Sequence, residues 1–173
     1  MAQYFGLPYK DLSMRQLFSL IKTLLPGEWS GEGFAKFPTI DDTEYTEEWI
    51  FTADPDKDAV HFSQRTKYKN DSEHNGHTVF WDTGFILLNK EEKIMLVSAQ
   101  VGGRTETYAL QSPPAGDRLV FDSVDIENDP KTIRSQRVLH IIGEDTLTYE
   151  LNMATHQAEK FQNHLTATLK KSL

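Results

Sequence analysis

The sequence predicts an all-β protein, a closed antiparallel up-and-down barrel of about ten strands with an N-terminal helix. Three observations carry that prediction. Period-two alternation of apolar and polar residues starts after Gly27 and recurs through the rest of the chain. Turn-forming clusters break it at about the 8–12-residue spacing of sandwiches and barrels, among them Asp54-Pro55-Asp56, Asn75-Gly76, Gly102-Gly103, Asn128-Asp129-Pro130 and Gly143-Glu144-Asp145. Only one stretch with a strong apolar stripe, Ser13 to Leu25, has the helical period. Connections this short join neighbouring strands as hairpins, and closing the sheet removes the unpaired edges that so many strands would otherwise leave.

Taken in order, the helix places Met14, Leu17, Phe18, Ile21, Leu24 and Leu25 on one stripe. Asp11 or Ser13 caps its start, Pro26-Gly27 ends it, and the stripe is expected to cover one end of the sheet. Residues 1–26 are thus expected to form a helical segment and 27–173 the barrel domain. The strands are expected at Gly27–Phe37, Tyr45–Thr52, Ala59–Lys69, Thr78–Leu88, Lys93–Gln100, Thr105–Gln111, Leu119–Val124, Thr132–Ile142, Thr146–Met153 and His164–Lys170. In the third of these, Val60, Phe62, Gln64, Thr66 and Tyr68 share a face. Thr155–Asn163 breaks the alternation and reads as a polar connection with a short helical turn. On the first strand, Gly31, Gly33 and Ala35 leave space, either for the sheet to bend or for a ligand to approach.

Composition narrows the function. The 173 residues favour one core. A net charge of −8 argues against sequence-independent nucleic-acid binding. No apolar run approaches the roughly 20 residues of a membrane span. No basic-then-apolar leader opens the chain, so a cytoplasmic protein is expected, whether monomer or homodimer. Zero cysteines exclude disulfides, thiolate metal sites and covalently attached haem.

Few side chains offer chemistry. His164 lies on the last alternating segment, where an imidazole facing an enclosed cavity could bind iron. Polarity alone would send Leu165, Ala167 and Leu169 inward and His164 outward with Thr166 and Thr168. His156 reads as solvated, His61 and His140 as strand residues, and His74-Asn75-Gly76-His77 as an imidazole pair on a turn without a third ligand. Glu47 and Glu48 are strand neighbours on opposite faces, so they cannot flank one bond as a hydrolytic pair. Trp29 and Trp49 read as packing, and Arg65 and Arg104 as surface ion pairs.

Several motifs then occur in a common order. Gly27, Trp29, Gly31 and Gly33 form G-x-W-x-G-x-G, and Pro38-Thr39-Ile40 follows. Downstream come Glu47-Glu48, Ser63-Gln64-Arg65-Thr66, Leu96-Val97-Ser98-Ala99-Gln100, the run Leu147 to Thr155, and Asn163-His164-Leu165-Thr166-Ala167-Thr168-Leu169. From roughly Leu24 to Lys171 the chain resembles the nitrobindin family of small haem-binding β-barrels. That resemblance implies haem b held non-covalently, with His164 as the axial iron ligand and Thr39 at the haem site; with a haem there, Arg65 and Arg104 have pairing with its propionates as a second use beside surface salt bridges. It implies interaction with nitric oxide and isomerisation of peroxynitrite to nitrate. The alternative is a haem-free carrier of a fatty acid or other small apolar ligand. The chain departs from the family pattern around Val79 to Leu87. There Phe80 replaces a histidine, Asp82 a glutamate and Leu87 an arginine, and a bulky Phe80 or Trp81 is expected to narrow the pocket.

Overall fold

The computed structural model describes residues 8–36, 42–114 and 116–172. A short 3-10 turn, Tyr9–Asp11, leads into α1 (Met14–Leu24). Ten strands follow: β1 (Gly27–Ala35), β2 (Thr43–Ala53), β3 (Ala59–Tyr68), β4 (Thr78–Leu88), β5 (Ile94–Gln100), β6 (Thr105–Leu110), β7 (Arg118–Glu127), β8 (Thr132–Ile142), β9 (Thr146–Thr155) and β10 (Ala158–Lys171). Each strand pairs antiparallel with its neighbours in sequence, and β1 pairs with β10 to close the barrel, as the turn spacing predicts.

The helix starts at Ser13 because that residue completes a capping box. Its side chain accepts from the Gln16 amide at 3.2 Å, and the Gln16 side chain accepts from the Ser13 amide at 2.9 Å. The apolar stripe buries Leu17, Phe18, Ile21 and Leu25 against Val60, Phe62, Ile86 and Ile94 in one hydrophobic core. Each such side chain contributes about 1.5–3 kcal/mol of burial. Two bonds hold the helix end to the barrel: the Trp29 indole donates to the Leu25 carbonyl at 2.8 Å, and Lys171 Nζ to the Leu24 carbonyl at 3.0 Å. The helix therefore plugs one end.

The glycines of β1 have a steric explanation. A Cβ on Gly31 would stand 2.0 Å from the Thr168 carbonyl oxygen, and one on Gly33 would stand 2.3 Å from the Tyr45 ring. Bare backbone lets β1 press against β10 and gives the Tyr45 ring its place inside the barrel, so neither vacancy is left for a ligand.

One expectation fails. Thr155–Asn163 contains no helical turn: β9 continues to Thr155, His156-Gln157 make a tight turn, and β10 begins at Ala158. Glu159 to Asn163 are exposed on both faces, so this part of the hairpin has no apolar alternation to read. Arg134 compensates locally, with its guanidinium 4.7 Å from the Phe161 ring centroid.

Candidate functional site

Alternation sends three strata of side chains into the barrel. Against α1 the stratum is apolar. A belt of charged and hydroxyl groups crosses the middle. Toward the opposite end a cavity of about 270 Å³ opens, with Leu165, Ala35, Phe80, Leu151 and Met153 among its apolar walls and Tyr45, Thr66, Gln100 and Arg104 among its polar ones. That volume lies just below the roughly 300–1,000 Å³ usual for small-molecule pockets.

Arg137 on β8 dominates the belt and is only 1% exposed. Its guanidinium donates to Asp82 at 2.6 Å, Ser98 at 3.0 Å, Glu106 at 3.2 Å and the Tyr108 hydroxyl at 3.1 Å. Burial alone would lower the Arg137 pKa, but Tyr108, Asp82 and Glu106 around it hold it well above the ordinary value. Burial would likewise raise Glu106, yet the Arg137 and Arg104 guanidiniums keep it below the usual carboxylate range. Arg104 bonds Glu106 and also pairs with Asp129 at 2.7 Å. It is thus a half-buried wall of the cavity, and the surface ion pair expected of it is corrected.

Beside this cluster lies a third buried acid. Glu47 is fully buried, bonded by the Trp49 indole and by the Gln64 amide at 2.6 Å. Burial raises its pKa to about 7, with the hydrogen bonds from Trp49, Gln64 and Tyr45 acting the other way. Glu48 points outward to Lys67, as strand alternation requires.

His164 owes its position to a β-bulge. Asn163 pairs with Asn152 and Leu165 with Leu151, so His164 is an extra residue with no partner position on β9. The bulge resolves the polarity conflict: Leu165, Ala167 and Leu169 all face inward, and His164 is nevertheless buried, 4% exposed. Its carbonyl accepts from the Lys36 amide at 2.8 Å, at the rim where β1 ends. Burial lowers the His164 pKa from its ordinary value, which favours the neutral imidazole, the form that ligates iron. His164 is not itself among the residues that line the cavity, but its neighbour Leu165 is.

Thr39 lies outside the described residues. Phe80 does stand in the cavity wall, whereas Trp81 points outward with the Arg65 guanidinium 4.1 Å from its ring, so only Phe80 narrows the pocket. Trp29 and Trp49 are buried packing residues. His156 is exposed, and the exposed His74 and His77 rings stand 5.7 Å apart. Among the described residues no three histidines or carboxylates gather as a metal cluster. The sequence reading missed Arg137, Ser98 and Glu106. Their signal was present as charged or polar residues at inward positions of alternating strands, Arg137 standing two residues from both Ser135 and Leu139.

Comparison with known proteins agrees with this architecture. Residues 21–171 match the family described as a THAP4-like, heme-binding beta-barrel domain. A protein of Rhodococcus jostii named peroxynitrite isomerase 1 is 34% identical over 146 residues, covering 84% of this chain and 79% of its own length. One of Mycobacterium tuberculosis with the same name is 28% identical over 164 residues, covering 90% and 96%. The crystal structure of Rv2717c from M. tuberculosis superposes with a TM-score of 0.73 at 26% identity, over 90% of this chain and 98% of that one. An S-type phycobiliprotein lyase of Guillardia theta shares the fold alone, with a TM-score of 0.59 at 11% identity. The ordered motifs, the closed ten-strand barrel and the family match agree: this chain belongs to the THAP4-like haem-binding β-barrels, the nitrobindin family.

Proposed function

We propose that the chain binds haem b at the open end of the barrel, with His164 as its axial ligand, and that it acts on nitric oxide and peroxynitrite, isomerising the latter to nitrate. The observation that carries this is the bulge at His164, which buries the imidazole next to Leu165 of the cavity wall. The absence of cysteine in the sequence favours haem b over a covalently attached form. Relatives named peroxynitrite isomerase support the substrate. When bound, haem supplies an iron with an open position for these ligands.

The chain's own residues do the rest. His164 donates its nitrogen lone pair. Leu165, Leu151 and Met153 present apolar surface that excludes water. Thr39 is proposed at the haem on the sequence match alone. Peroxynitrite and nitrate are isomers, so the conversion consumes no net oxidant, reductant or proton. The reading includes a cytoplasmic location.

The test is a hemin titration followed by absorbance on the natural chain and on His164→Ala. A Soret shift saturating at one haem per chain, lost in the variant and regained with added imidazole, supports ligation by His164. A variant that binds haem unchanged overturns it. Nitrate yield from peroxynitrite, compared with free hemin, then tests the activity.

A further inference from the structure

The cavity floor presents an arginine that has already been neutralised. Arg137 meets Asp82 at 2.6 Å and Glu106 at 3.2 Å, and Arg104 meets Asp129 at 2.7 Å as well as Glu106. Two cations thus face three carboxylates, with the fully buried Glu47 close behind. Among the described residues lining the cavity no cation is left over for an incoming anion. A carboxylate entering here would lose its hydration and meet like charge, and neither loss is offset by a new ion pair.

The same walls favour a different occupant. Leu151, Met153, Leu165 and Phe80 supply apolar surface for a short hydrocarbon chain. The Tyr45 hydroxyl, in a side chain 3% exposed on the cavity wall, interacts with the buried Glu47 carboxyl. Its oxygen can also accept a hydrogen bond, which an alcohol hydroxyl can donate and a carboxylate cannot.

We infer that the barrel cavity is a site for a small uncharged amphiphile, such as a medium-chain alcohol, and that Asp82 and Glu106 make it refuse the matching carboxylate by occupying Arg137. The inference concerns the cavity floor and does not depend on iron ligation by His164.

Octan-1-ol and octanoate differ only in the head group, so they isolate the charge. Isothermal titration calorimetry is run with each on the full chain before haem is added, and on Glu106→Gln and Asp82→Asn. The natural chain should bind octan-1-ol saturably at one site and octanoate at least about tenfold more weakly. Either variant, freeing part of Arg137, should improve octanoate binding about tenfold while leaving octan-1-ol within a few-fold. Circular dichroism identifies a variant that fails to fold, and the comparison on the natural chain stands without it. Equal binding of both probes to the natural chain, binding of neither, or no gain of octanoate in a folded variant overturns the inference. Failure of haem ligation would appear separately, in the titration of His164→Ala.

Discussion

His164 and Glu47 are both buried titratable groups, and burial pushes them in opposite senses. For His164 the folded pKa lies below 6.5. Its imidazole therefore stays neutral to lower pH than a free one, and acid-induced haem release should have its midpoint below pH 6.5 when followed by the Soret band. In the haem-free chain the same residue makes stability fall as pH drops through the window beneath 6.5, because the unfolded chain binds the proton more readily. Glu47 works the other way. Its carboxyl rises from 4.5 to about 7 on folding, so the native state holds the extra proton and stability falls as pH rises between those values. Glu47→Gln should abolish that decline, which is at most about 1.4 kcal/mol per pH unit, in urea unfolding curves taken across the range. His164 was legible as a residue worth singling out, but its burial was not legible from alternation. A bulge inserts one residue and resets the phase, and the Asn163-His164-Leu165 sequence carries no glycine or proline to mark it.

At the scale of elements, the strongest sequence signals gave the most accurate boundaries. α1 ends within a residue of its expected limits because Ser13 and Pro26 act through local chemistry, capping amides at one end and blocking continuation at the other. Ser13→Ala should cost about 1 kcal/mol in thermal unfolding, since it leaves helix amides unpaired. β3 reads correctly because its inward face is apolar except for Gln64 and Thr66. The extended β9–β10 hairpin was illegible for the opposite reason, having solvent on both sides. Gly31→Ala should destabilise by at least about 1–3 kcal/mol, because its Cβ would meet the Thr168 carbonyl and only backbone movement can relieve the contact. Gly76→Ala meets nothing within 4 Å; only the strain of a positive φ opposes it. The pair, measured side by side, separates crowding from conformation.

Across the whole molecule, the barrel is stabilised by its apolar end and specified by its charged belt. The belt joins β4, β5, β6 and β8 through one guanidinium, so removing that group leaves Asp82 buried without its cation and Glu106 with Arg104 alone. Arg137→Met should cost about 3–5 kcal/mol near neutral pH, and part of the loss should be recovered as Glu106, no longer held low by Arg137, takes up a proton on acidification. A recovery that did not depend on pH would show that lost packing, not charge, was responsible. No single strand contains this cluster: Asp82 and Arg137 are 55 residues apart in sequence and meet only when the sheet has curled. Closure itself follows the same logic. The seam that completes the barrel joins Trp29 to Lys171 and Ala35 to Leu165, the most distant pairing in the fold. Hairpins from β1 to β9 can form as the chain emerges from the ribosome, but β1 keeps a bare edge until β10 has been synthesised. Under the proposed ligation by His164, which rides on that last strand, a nascent chain would have no iron-binding geometry to offer, and haem capture would become a test that only finished barrels pass.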